Sequence, residues 1–216
     1  MLEKLRFNMI EQQVRTWDVL DENVLDLLKI SKREDYVPKQ FQKLAFADIE
    51  IPLSHGEKML SPKIEGRILQ SLEIKSHDHV YHVGTGSGYF DLLLASLAKE
   101  VLTVDIHLDF IEAAKALHRS QKLSNIHYIH GNGFILSSEF KSFDVIVFTG
   151  SCKFEPLGFR ERLNLNGRMF YIENHGSIMK AKLIKRISED QFSMNELFDC
   201  AIPHLSYERK EPDFAF

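Results

Sequence analysis

Between residues 80 and 149 the sequence changes character at regular intervals. Short runs of consecutive apolar residues, VYHV at 80–83, VLTVDI at 101–106, IHYIH at 126–130 and FDVIVFT at 143–149, read as strands. Stretches with helical spacing at 88–98 and 109–121 separate the first three. Strands apolar on successive residues are buried on both faces, and joining them in parallel needs a crossover, usually a helix. The pattern predicts a doubly wound α/β chain with a mostly parallel sheet covered on both faces. Near the end, GRMFYIE at 167–173, KAKLIKRIS at 180–188 and QFSMNELFDCAI at 191–202 follow one another with short connections. They predict an antiparallel C-terminal edge.

The first 62 residues are of another kind. Residues 2–14 and 21–30 have helical spacing, with Asp21 as N-cap of the second and Val24, Leu25, Leu27 and Leu28 forming its stripe. A loop-rich region runs from Tyr36 to Pro62. A helix then spans 63–74, with Pro62 at its first position and Ile64, Ile68, Leu69 and Leu72 on one face. A chain of 216 residues is long enough for one domain with a substantial core. The expected division is 1–62 as N-terminal helices and substrate or cap segment, 63–205 as core, and 206–216 as a loose tail.

Charge and cysteine usage narrow the setting. Lysine and arginine total 27 against 31 acids, a net charge of −4 that offers no duplex-binding surface, so no nucleic-acid partner is expected. Cys152 and Cys200 have no CxxC spacing, which suits a reducing compartment. The stretch MLEKLRFNMIEQQ lacks the apolar centre of a secretion signal, and no apolar run approaches the roughly 18 residues of a membrane span. The expectation is a cytoplasmic protein without membrane contact; the oligomeric state is left open.

After the first strand of the core comes Gly84-Thr85-Gly86-Ser87-Gly88, and a helix follows at once. Strand, glycine turn and helix together bring backbone amides close to a nucleotide. Asp105 closes the next strand, 21 residues after Gly84, where a Rossmann-like unit offers an acid to ribose hydroxyls. His130-Gly131-Asn132-Gly133 follows the third strand, and Thr149 and Gly150 end the fourth. All four sites fall on the carboxyl edge of one sheet, where open α/β folds bind ligands.

With VGTGSGYF, the acid after the next strand, GNG and FDVIVFT in place, the chain resembles the class I S-adenosylmethionine-dependent methyltransferases. More narrowly, it resembles the protein-L-isoaspartate O-methyltransferase family over nearly its whole length. The family pattern RExFVP followed by AYxDxPLPIGxGQTISxP is similar to REDYVPKQFQKLAFADIEIPLSHGEKMLSP. Arg33, Glu34, Val37, Pro38, Ala45, Asp48, Pro52, Gly56 and Pro62 fall in register without a gap.

The resemblance implies S-adenosylmethionine as cofactor and, as partner, a damaged protein or peptide whose isoaspartyl carboxylate accepts the methyl group. It implies a cofactor site of Gly84, Thr85, Gly86, Ser87, Gly88, Asp105, Ile106, Asn132, Gly133 and Thr149. It implies a substrate segment including Pro52, Ser54, His55, Gly56 and Leu60. Glu57 and Lys58 stand where the family pattern has glutamine and threonine, and three further positions depart from it. His82 stands where a glutamate usually supports the turn, Asn132 replaces the aspartate of GDG, and Leu60 occupies the place of the family serine. The nearest hydroxyl, Ser61, is the candidate catalytic residue, although directly before Pro62 it also reads as an N-cap. His82 reads either as a structural histidine or as a replacement anchor. These departures keep two alternatives open, a methyltransferase for another acceptor and a non-catalytic member that binds the cofactor. The clusters HDH at 77–79 and IHYIH at 126–130 have no cysteine or carboxylate framework, so no metal site is expected.

Overall fold

The structure is a computed structural model, and it describes residues 2–136, 142–176 and 178–205. The tail expected at 206–216 lies outside them. Helix α1, Leu2–Met9, passes into a π turn at Ile10–Val14 and a 3₁₀ turn at Arg15–Trp17. Helix α2 is Glu22–Ile30, and the Asp21 side chain caps it by accepting from the amides of Asn23 at 2.8 Å and Val24 at 3.4 Å. The stretch that read as loop carries 3₁₀ turns and one short hairpin of β1, Ile51–Pro52, with β2, Lys58–Met59. Helix α3 runs Pro62–Leu72 and ends at Glu73, which adopts a left-handed conformation with φ 47°.

The core then alternates as its pattern demands: β3 at His79–Val83, α4 at Tyr89–Leu97, β4 at Glu100–Asp105, α5 at Leu108–Ser120 and β5 at Ile126–His130. Strands β6, Phe143–Cys152, and β7, Leu163–Asn174, complete the parallel part. Strands β8, Met179–Arg186, and β9, Phe192–Cys200, form the antiparallel edge. The order across the sheet is β5-β4-β3-β6-β7-β8-β9. The chain winds outward from β3 through β4 to β5, then returns to the other side of β3 with β6. That reversal opens a crevice at the carboxyl ends of β3 and β6.

Period-two alternation sorts the strand residues between two apolar clusters. Val80, Val101, Val145, Val147 and Phe170 join the cluster that contains α2, α3 and α4. Tyr81, Val83, Leu102, Ile146 and Phe148 belong to the other cluster. Both faces are covered, as the pattern requires. Among the described residues the second face is covered by aromatic side chains of irregular segments, Phe134 and Phe159, which meet the Phe148 ring tilted and edge-on respectively. No helix among the described residues is long and apolar enough to cross a membrane.

Candidate active site

The glycine turn reverses the chain between β3 and α4. Gly84, with φ +104°, leaves the strand by donating its amide to Val104 O at 2.9 Å. A side chain there would be strained by the backbone and would stand 2.7 Å from Thr149 Oγ1. Gly86 donates its amide to Asp105 Oδ2 at 2.9 Å, and Asp105 Oδ1 accepts from the His107 amide at 2.9 Å. Each carboxylate oxygen has a second acceptor site, so the group still offers lone pairs to a ligand. Gly88 sits at the N-cap of α4, and its lack of a side chain lets Ala114 of α5 close to 2.7 Å from the Cβ position.

His82 lies beneath this turn, wholly buried. Its Nδ1 is 2.5 Å from Asp91 Oδ1, and Asp91 on α4 is also wholly buried. Its Nε2 is 2.9 Å from Thr149 Oγ1. The Thr149 hydroxyl lies 3.1 Å from both Val83 O and Gly84 O. Carbonyls only accept, so the Thr149 proton goes to the turn and His82 donates to Thr149 through Nε2–H. A continuous chain thus runs from Asp91 through His82 and Thr149 to the turn backbone. The acid of this chain, Asp91, lies in the first turn of α4, behind position 82.

The crevice is an open cleft. Val83, Val104, Ile106, Phe110 and Phe134 give it apolar walls. Asp105, Thr149 and Glu57 give it polar ones, and Gly84, Gly86, Gly131 and Gly133 complete the lining. Apolar walls with a few convergent polar groups suit an adenosyl ligand. The C-terminal segment closes one side. Ser151 donates to Pro203 O at 2.8 Å and Leu205 donates to Ser151 O at 2.9 Å, which bridges the end of β6 to this segment. Leu205 packs 2.6 Å from where a Gly150 side chain would begin.

Arg33 positions the segment that faces the cleft. Buried, it donates to Ala45 O at 2.9 Å and Leu60 O at 2.6 Å, and it pairs with Glu65 of α3. Its guanidinium also lies 5.1 Å over the Tyr89 ring. One side chain therefore fixes both ends of 45–60 against the helices. Burial pushes the Cys152 thiol up to about 12, so it is inert as a nucleophile at neutral pH.

Of the residues expected from sequence to hold a cofactor, Gly84, Gly86, Asp105, Ile106, Gly133 and Thr149 line the cleft. Thr85 instead turns inward to Thr103 at 2.6 Å, Ser87 accepts from the Tyr89 amide at 3.3 Å, and Gly88 shapes the helix start. Asn132 is not among the lining residues; its Oδ1 accepts from the Phe134 amide at 2.9 Å and so closes its own turn. On the substrate side the cleft is lined by Leu53, Glu57 and Lys58 rather than by Pro52, Ser54, His55, Gly56 or Leu60. Leu60 points into the N-terminal core. Ser61 holds the N-cap position of α3 through its carbonyl, which accepts from the amides of Ile64 and Glu65; its hydroxyl makes no capping bond. Sequence reading passed over Asp91, Phe110, Phe134 and the 203–205 segment. Only Asp91 carried a signal, an acid inside the apolar helix YFDLLLASL.

A protein-family model described as Protein-L-isoaspartate(D-aspartate) O-methyltransferase (PCMT) matches residues 4–208. A protein-L-isoaspartate O-methyltransferase of Methanoculleus marisnigri is 32% identical over 164 residues, covering 76% of this chain and 74% of that protein. One of Koribacter versatilis is 30% identical over 195 residues, covering 90% and 87%. Among solved structures, a Plasmodium falciparum protein assigned as a protein-L-isoaspartate O-methyltransferase, in complex with S-adenosyl-L-homocysteine, is similar with a TM-score of 0.79. It is 19% identical, over 94% of this chain and 97% of that one, a likeness of fold.

Proposed function

We propose that this chain, which belongs to the protein-L-isoaspartate(D-aspartate) O-methyltransferase family, transfers the methyl group of S-adenosylmethionine to the free carboxylate of an isoaspartyl residue in a protein or peptide. The observation that carries the reading is the corner where the Gly86 amide and the Asp105 carboxylate meet at the reversal of the sheet. It sets an acid and glycine backbone side by side on the wall of the cleft.

Asp105 holds the ribose hydroxyls through the lone pairs its amide contacts leave free. Gly133 and Phe134 flank the base, and the Gly84–Gly86 backbone receives the amino-acid end. Thr85, Ser87, Gly88 and Asn132 act indirectly, by shaping the turns. Bound there, S-adenosylmethionine supplies an electrophilic methyl on a sulfonium. The acceptor carboxylate is already ionised near neutral pH, so the chain needs no general base, and alignment with exclusion of water is its main contribution. Leu53, Glu57 and Lys58 face the acceptor. Lys58 provides the cation for a carboxylate, and it is held by Glu50 at 2.9 Å.

The 1–216 chain works as one unit in this reading, with 1–62 as the cap over a core at 63–205. Free thiols at Cys152 and Cys200 support a reducing, cytoplasmic setting. The acidic charge balance supports a protein rather than a nucleic-acid partner.

Calorimetric titration with S-adenosylhomocysteine tests the cofactor half. Saturable binding of one equivalent is expected, and no heat at millimolar ligand would remove the adenosyl reading.

A further inference from the structure

At the mouth of the cleft, two histidines and two carboxylates from opposite walls converge. The His55 and His107 rings stack at 4.0 Å with their planes 3° apart. His55 Nε2 is 3.0 Å from both carboxylate oxygens of Asp109. One donor atom from each of His55, His107 and Asp109 lies within 4.8 Å of the others. Glu57 Oε1 stands 3.9 Å from His107 Nε2. Phe110 forms a common wall, edge-on to both rings at 5.5 and 5.3 Å. His55 reaches this place from a left-handed backbone, φ 59°, uncommon for residues other than glycine.

We propose that His55, His107, Asp109 and Glu57 bind one divalent transition-metal ion of the zinc, nickel or copper class, which ties the 53–57 turn to the start of α5 across the mouth of the cleft.

The donor set selects the class of ion. Two imidazoles with carboxylates suit these metals, whereas magnesium and calcium take oxygen ligands. Both carboxylates ionised give the set a charge of −2, which neutralises the ion, so no net positive charge sits at the positive end of α5. Metal–nitrogen bonds of about 2.0–2.1 Å put tetrahedral donors roughly 3.4 Å apart, so the cluster must contract. Parallel stacked rings cannot both aim a lone pair at one point, so the His55 ring swings out of the stack on binding. The side chains of His55 and Asp109 are 42% and 58% exposed, which leaves that movement unobstructed. The two walls belong to separate parts of the chain, 53–57 and 107–109. This is why the histidine clusters at 77–79 and 126–130, read along the sequence, gave no hint of it.

Because Glu57 and His107 also line the cleft, a bound metal holds its mouth closed and slows exchange of whatever the cleft contains. The metal site itself does not depend on the identity of that ligand.

The test is calorimetric titration of tag-free, chelator-stripped protein with Zn²⁺ and Ni²⁺, with Co²⁺ absorption as a readout of coordination. One equivalent is expected to bind. His55→Ala and Asp109→Ala should each weaken it by about tenfold or more, the scale of losing one supporting group. His127→Ala, at an exposed histidine elsewhere, should leave it unchanged. Thermal melts of the variants check that each remains folded. No binding, or binding that ignores His55 and Asp109, would overturn the proposal. Loss of S-adenosylhomocysteine binding with metal binding intact would count against the cleft assignment and leave this one standing.

Discussion

His82 Nδ1 stands 2.5 Å from Asp91 Oδ1, and neither side chain reaches solvent. Beneath a ligand-binding turn, a buried pair of this kind is a rigid link. It passes from α4 through Thr149 to the carbonyls of Val83 and Gly84. The family glutamate expected at position 82 is replaced by a histidine that borrows its acid from nine residues further on.

The first prediction concerns that link. Removing one member leaves the other buried without its partner, which costs about 3–5 kcal/mol if the pair is charged. His82→Ala and Asp91→Ala should each destabilise strongly in urea denaturation, and the double variant should fall short of their sum by about 1–3 kcal/mol. His82→Glu alone would set two carboxylates together in the core, and adding Asp91→Ala should relieve it. Additive losses would show that the two side chains do not share the bond.

Asp105 carries the second prediction. Its carboxylate both fixes the turn, through the Gly86 and His107 amides, and faces the cleft. Asp105→Ala should weaken S-adenosylhomocysteine binding by about 1–3 kcal/mol. Unchanged affinity in calorimetry would remove Asp105 from the ligand contacts.

How much of this was legible in the sequence follows from the range of the interactions. Consecutive apolar runs gave β3 to β6 within a few residues, because burial on both faces is written locally. The end of β6 was not, because Ser151 and Cys152 pair with Ile172 and Glu173 of β7, and Ser151 also bonds Pro203 and Leu205 some fifty positions away. The Gly84–Asp105 part of the cleft was legible because a turn and a strand end carry it. Asp91 was not assigned a role, because its meaning depends on α4 folding back over β3. Leu60 could be placed opposite a family serine by alignment, but its burial in the N-terminal core is a packing outcome. A Leu60→Ser change would therefore put a hydroxyl into that core instead of into the cleft.

Arg33 is the keystone of the cap. Arg33→Met leaves Glu65 buried without its partner and frees the carbonyls of Ala45 and Leu60. A loss of about 3–5 kcal/mol is expected in chemical denaturation. Replacing Glu65 by leucine in the same variant should recover much of it. Failure of the second change to help would locate the loss in the carbonyl contacts.

His118 sets an acid limit on stability. Its Nε2 lies 2.9 Å from Gly88 O, to which it donates, and its Nδ1 lies 2.7 Å from the Tyr128 hydroxyl, from which it accepts. Both bonds belong to the neutral ring, and burial holds its pKa below the ordinary 6.5. The unfolded chain therefore takes up the proton first as the pH falls. The contribution is complete above 6.5 and is lost as pH drops from there towards the lower folded value. Melting temperature should decline below that point, and less steeply in His118→Gln. An identical decline in the variant would assign the effect to other groups.

The central claim is the acceptor. The direct measurement is mass-spectrometric detection of methyl transfer from S-adenosylmethionine to a synthetic peptide containing one isoaspartyl residue, with the ordinary aspartyl isomer as control. A methyl ester on the isoaspartyl peptide alone is the predicted result. Binding of the cofactor with neither peptide methylated would contradict it.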